Sequence, residues 1–159
     1  MNDDHDAFVR KMQDNITNSG RTLFGVFPDE DSADPLNDAF TYSVGNGLAG
    51  LPELLVVGLF DGMQWPLNEL SRLMVERGRK FDDGELVSLG EGALPVCLVD
   101  AGEEVKERYT VQATNFFEGE RNYQVMQVVL PDKDGRFPWQ PGCAAPYSKV
   151  NVYRRSMMN

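Results

Sequence analysis

The run LPELLVVGLF, from Leu51 to Phe60, constrains the fold of this chain more than any other stretch. It is short, nearly continuous in apolar residues and rich in β-formers, far too brief to cross a bilayer. Such a run is a strand buried on both faces near the middle of a sheet. A second strand follows from NYQVMQVVLPD, which is apolar on both faces towards its end. RTLFGVF, AFTYSVG and ALPVCLVDAG read as further strands, and FDDGELVSLGEG as short extended pieces joined by glycine turns.

Helical periodicity occurs in three places. Phe8, Met12 and Ile16 form a stripe between Asp6 and Thr17, stopped by NSG. After Asp61, a candidate cap, Pro66 sits in a first turn and Leu67, Leu70, Leu73 and Met74 make an inward face, with Gly78 beyond the last turn. Glu103 and Glu104 open a third helix reaching Phe117, with Val105, Tyr109, Ala113 and Phe116 on one side; RYTVQAT also fits an alternating strand. The sum is an α+β chain: one domain over residues 1–159, with residues 1–5 frayed, built as a largely antiparallel β-sheet with two or three packed helices.

Composition narrows the function. With 25 acids against 15 bases the net charge is −10, which opposes broad contact with nucleic-acid phosphates. The imbalance is uneven: residues 1–110 hold 21 acids and 9 bases, residues 111–159 only 4 acids and 6 bases. The acidic, polar start MNDDHDAF lacks the basic and apolar regions of a signal peptide, so a cytoplasmic location and no membrane association are expected. His5 is the sole histidine, and neither Cys97 nor Cys143 belongs to a CxxC pair, which argues against zinc; no metal site is expected. A single histidine near the terminus and no GxSxG elbow leave no serine-hydrolase set.

The densest chemistry lies in PDKDGRFPWQPG, Pro131 to Gly142. Asp134-Gly135 is a turn that accepts positive backbone dihedrals, and Phe137 and Trp139, two residues apart, would face the same way and cover the sheet. Lys133 and Arg136 flank this turn. Turn amides plus two cations can hold a phosphate or carboxylate, and Trp139 can stack on a flat ring. Asp132 and Asp134 begin a calcium-loop pattern, but the glycine arrives too early and no terminal Glu follows. Glu53, after Pro52 at the start of the central strand, can serve as a base or ligand anchor, or cap backbone amides. Tyr42 and Ser43 end the preceding strand and line the same rim. If these strand ends and the turn meet, Tyr42, Glu53, Lys133, Asp134, Arg136 and Trp139 form one ligand pocket.

The order VFPDED, FTYSVG, LPELLVVGL, a helix, and a closing LPDKDGRFPW resembles a bacterial family known as domain of unknown function 4262. The resemblance covers roughly Ile16 to Gly142, and its closing motif resembles PDRDGRFPW, with Lys133 a mild variant. Members commonly carry His before Pro-Glu where this chain has Leu51, so chemistry needing that histidine is missing at this position. The resemblance implies a shared fold and a shared surface, and no activity.

Three readings follow: a non-catalytic binding or interaction module with a protein partner, a binder of a small anionic, nucleotide- or flavin-like ligand, and a metal-assisted hydrolase working through Glu53, Asp132 or Asp134. No cofactor is specified by any motif. The first reading takes precedence because the chain lacks a recognised catalytic set.

Overall fold

A computed structural model describes residues 20–58, 62–117 and 122–154, with Ala7, Arg10, Lys11, Asp14, Ile16 and Asn18 before them. Those six early residues are helical, and Ile16 is buried. Phe8 and Met12 of the expected stripe, the expected cap Asp61, His5 and the expected frayed segment lie outside the described residues.

Among the described residues six strands form one sheet in the order β1-β2-β3-β6-β5-β4: β1 Thr22–Val26, β2 Phe40–Val44, β3 Glu53–Val57, β4 Glu85–Val87, β5 Val96–Asp100 and β6 Val125–Val129. Every pairing is antiparallel except β3 with β6, which run parallel at the centre. All five residues of each of these two strands are buried, including the polar Glu53 and Gln127 among otherwise apolar residues. The α+β class and the mostly antiparallel sheet are thus as the sequence leads one to expect.

Side-chain alternation divides the core in two. Leu54, Val56, Met126 and Val128 face the helix Gln64–Arg77 through Leu67, Leu70 and Met74. Leu55, Val57 and Val125 face Val105, Tyr109, Ala113, Tyr123 and Tyr153 on the other side. The helix Gln64–Arg77 keeps Pro66 in its first turn and ends at Gly78, whose φ of 68° lets its N–H reach the Met74 and Val75 carbonyls.

The expected helix from Glu103 to Phe117 is two helices, Glu104–Arg108 and Val111–Phe116, so the described elements include four helices with the single turn Pro35–Asp38. The break falls at Tyr109 and Thr110. It lets the Tyr109 hydroxyl donate to the Asn37 carbonyl and meet the Tyr153 hydroxyl inside the core. It also leaves the Gln112 N–H without a helical acceptor, and the buried Tyr42 hydroxyl accepts it at 3.1 Å. Tertiary bonds to buried tyrosines thus outweigh the continuity of one helix. No described helix is long and apolar enough to cross a membrane.

Tyr42→Phe keeps the ring, stacked between Phe24 and Phe40, and removes only the acceptor. Urea unfolding should show a loss of about 1–2 kcal/mol for the orphaned Gln112 amide. An unchanged midpoint would mean water replaces the hydroxyl.

Candidate functional site

Glu53 opens β3 opposite Val125 and is completely buried. An ionised carboxylate in that position needs donors at all its lone pairs. The chain supplies four. Oε1 accepts from Ser43 Oγ at 2.8 Å and from the Asn46 N–H at 3.2 Å. Oε2 accepts from the N–H groups of Gly45 at 3.0 Å and Gly47 at 2.9 Å. Burial pushes the Glu53 carboxyl up from its ordinary range, and the three amides and the serine pull back against it.

The GNG turn is shaped for this carboxylate. Gly45 has φ 133°, and a Cβ there would sit 2.6 Å from the Gly20 carbonyl oxygen and 2.8 Å from Arg21 Cα. A Cβ on Gly47 would lie 2.6 Å from Phe117 Cζ. The first contact is with backbone and cannot yield, so only glycine fits at position 45.

A second layer completes the cage. Ser43 Oγ also accepts from the Leu54 N–H, and Asn46 Nδ2 donates to Ser71 Oγ at 2.9 Å and to the Pro52 carbonyl. Asn46 Oδ1 accepts from Arg21 Nε, whose guanidinium also reaches Asn68. Strands β1, β2 and β3 and the helix Gln64–Arg77 therefore meet around one carboxylate. Leu51 is buried with Leu54, Val56 and Leu67. Glu53 is fully buried, and both of its carboxylate oxygens are engaged by these four donors. Its task here is to hold backbone.

The second candidate acid behaves alike. Asp132 is 1% exposed, and its Oδ1 accepts the N–H groups of Asp134 and Arg136, each at 2.9 Å. Its Oδ2 accepts the Ala144 N–H at 2.9 Å, tying the start of the closing turn to its far end. The amides of Arg136, Ala144 and Asp134 hold the Asp132 carboxyl below the usual carboxylate range. Gly135 takes φ 84°, as the Asp-Gly pair requires. Lys133 and Asp134 are exposed, and Arg136 is half-exposed with Nη1 3.6 Å from Asp134 Oδ2.

Phe137 is buried against Cys97, Val99 and Val129. Trp139 is not: it stays 39% exposed and stacks on Phe137 with centroids 5.2 Å apart and planes at 8°. The expectation that Trp139 packs onto the sheet is corrected here. Residues 137–140 form a turn in which the Gln140 side chain accepts the Phe137 N–H, so strand alternation does not apply.

The six sequence candidates do not converge. Glu53 lies beside the start of β6, whereas the closing turn follows its end, and five residues at about 3.3 Å each separate them. Tyr42 is a core residue between the two. What sequence reasoning missed is Asn46, Arg21 and the structural weight of Asp132. The GNG spacing was the available signal for the first of these. Among the described residues, no group of three or more His, Cys, Asp or Glu side chains is placed to hold a metal ion.

A polar cleft of about 220 Å³ adjoins the Glu53 end, lined by Lys80, Asp100, Glu103, Lys106 and Tyr123 among others. Its cations are engaged: Lys106 pairs with Glu103 at 2.6 Å and lies over the Tyr123 ring, and Lys80 is 3.6 Å from Asp100.

The family model described as Domain of unknown function (DUF4262) matches residues 15–144, which include the Glu53 cage and the closing turn as far as Ala144. The chain belongs to that family. No curated protein and no solved structure matches it. The match ends before the segment Asn151–Arg154, which the buried Gln127 side chain ties to β6 through the Asn151 carbonyl and the Tyr153 N–H.

Two measurements check the cage and the turn. Glu53→Gln places an NH₂ group against backbone N–H donors, and denaturant unfolding should show a loss of about 3 kcal/mol or more. A near-neutral effect would mean the carboxylate is not what holds the turn. Because the Asp132 carboxyl is depressed in the folded state, its stabilisation is complete above the unfolded value near about 3.9 and is lost as pH falls through the folded value. The melting-temperature gap between wild type and Asp132→Asn should therefore hold steady from pH 7 to pH 5 and close towards pH 2. A gap independent of pH would exclude the carboxylate as its source.

Proposed function

We propose that this protein is a non-catalytic binding module, and that Lys133, Arg136 and Trp139 on the closing turn are its recognition surface for an anionic group on a partner protein. The observation that carries this reading is the use of Asp132. Both of its carboxylate oxygens accept from backbone amides, three in all, so the turn is held from within while Lys133, Arg136 and Trp139 stay exposed. Arg136 Nη1 lies 3.6 Å from the exposed Asp134 carboxylate, and Phe137 stacks against the Trp139 ring. A fork of donors beside an exposed aromatic suits a carboxylate or phosphate carried by a larger body.

A small free anion is the weaker reading. Lys133 and Arg136 sit in water, where a single ion pair is worth little, whereas a macromolecular partner covering them removes that screening. Of the three acids that a hydrolase would use, Glu53 and Asp132 accept from backbone amides instead, and Asp134 lies exposed beside Arg136.

The test is a two-dimensional amide NMR titration with a Glu-rich peptide, and separately with inorganic phosphate and AMP. The peptide should shift the amides of Lys133 to Trp139 and the Trp139 indole. Lys133→Ser with Arg136→Ser should weaken that binding at least fivefold while leaving the melting temperature within about 2 °C, as expected for exposed side chains. Shifts with phosphate or AMP alone would favour the small-ligand reading, and a turn silent to all three would exclude this surface.

A further inference from the structure

Residues 149–154 lie in a groove whose walls read backbone. Asn37 is 3% exposed, and its side chain grips the segment twice. Nδ2 donates to the Lys149 carbonyl at 3.0 Å, and Oδ1 accepts the Asn151 N–H at 2.8 Å. The fully buried Gln127 repeats this one step on: Nε2 donates to the Asn151 carbonyl and Oε1 accepts the Tyr153 N–H, each at 2.8 Å. The Gly102 N–H closes the row by donating to the Tyr153 carbonyl at 3.0 Å. Asn151 and Tyr153, alternate residues, thus turn both N–H and C=O to one side, as a strand does towards its ladder partner. Two side-chain amides stand in for most of that partner strand.

The side chains of the segment add few demands. Lys149 and Asn151 are exposed, Val150 and Val152 are partly buried at the margin of the core, and Arg154 Nε lies 3.5 Å from Asp83 Oδ1. Only Tyr153 is buried. Its ring meets Tyr109 in a T-shaped contact with centroids 5.4 Å apart, and the two hydroxyls are 2.9 Å apart. The groove residues Asn37, Gly102, Tyr109 and Gln127 all lie inside the family match, whereas residues 149–154 lie beyond it. The connection back to the closing turn, residues 145–148, contains no buried residue. The segment is therefore held by the groove and not by its connection.

We infer that this groove is a binding site for an extended segment of a partner protein, aromatic at the Tyr153 position, and that residues 149–154 fill it in cis until such a segment displaces them. Backbone recognition selects this occupant. Five hydrogen bonds to main chain give affinity without fixing sequence, and one aromatic pocket sets the main side-chain requirement. A second copy of this chain is disfavoured by its net charge of −10, which makes self-association repulsive. The tethered segment competes at an effective concentration on the order of millimolar, so a free peptide binds best where the cis contacts have been weakened. The groove shares no residue with Lys133, Arg136 and Trp139, so the failure of either surface leaves the other standing.

The test uses the full chain, as wild type and as Tyr153→Ala, with labelled peptides followed by fluorescence anisotropy. The peptides are KVNVYR, SVSVYR, KVNVAR, and KVNVYR methylated on the tyrosine backbone nitrogen. Tyr153→Ala should bind KVNVYR at least tenfold more tightly than the wild type does, because its own segment competes less. The peptide should also raise the melting temperature of that variant. SVSVYR, altered only at the two exposed positions, should bind within about threefold of KVNVYR. KVNVAR and the N-methylated peptide should each bind at least tenfold more weakly, the latter because it leaves the Gln127 carbonyl oxygen without a donor. In an amide NMR titration the Gly102 N–H and the Gln127 side-chain NH₂ should shift. Should Tyr153→Ala not fold, Asn151→Pro, which removes the N–H that Asn37 accepts from an exposed position, carries the same expectations. Equal binding by wild type and variant, indifference to N-methylation, or no binding by the variant at millimolar peptide would each overturn the proposal. So would concentration-dependent dimerisation of the wild type that Tyr153→Ala abolishes, since that would assign the groove to a second copy.

Discussion

The carboxylate of Glu53 is the constraint around which this fold is arranged. A charge at zero exposure in the middle of a sheet is tolerable only if every lone pair meets a donor. Those donors come from three consecutive amides of one turn and one serine on the neighbouring strand. The requirement explains the glycines on either side of Asn46, since a side chain at either would collide with Gly20 and Arg21 or with Phe117. It also explains why Asn46 is buried, bridging the cage to Ser71 on the long helix and to Arg21 beside β1. Three strands and a helix are registered against one another through a single acid.

The closing turn repeats this solution at the other end of β6. Asp132 gathers three amides and closes a loop whose two ends are twelve residues apart. Here the carboxylate is depressed by its donors, whereas burial dominates at Glu53. Both acids stabilise irregular backbone at sheet ends, where strands stop and amides lose their ladder partners. Backbone fixed in this way leaves neighbouring side chains unconsumed, which is why we propose Lys133, Arg136 and Trp139 for recognition.

Much of the fold was legible because burial writes itself into composition. LPELLVVGLF is nearly continuous in apolar residues, which marked it as a central strand, and the structure pairs it in parallel with the strand from NYQVMQVVLPD at the middle of the sheet. Gly78 marked the end of the long helix, and Asp134-Gly135 the closing turn. The break at Tyr109 and Thr110 was not legible, because its cause lies in Asn37, Tyr42, Tyr123 and Tyr153, all distant in sequence. Trp139 misled for a local reason: two-residue spacing means a shared face only in extended backbone.

By itself the sequence determined the central strand, the long helix with its Gly78 stop, the Asp-Gly turn, and which acids and cations are available for chemistry. These are local properties, set by side-chain periodicity and backbone sterics. Only the tertiary structure decided what the charged residues do. The same carboxylate is a base, a ligand anchor or a backbone cap according to which donors surround it, and Glu53 and Asp132 are surrounded by amides. It likewise decided that Glu53 and Arg136 occupy opposite ends of the sheet, because strand order and direction, not spacing along the chain, set the distance between them.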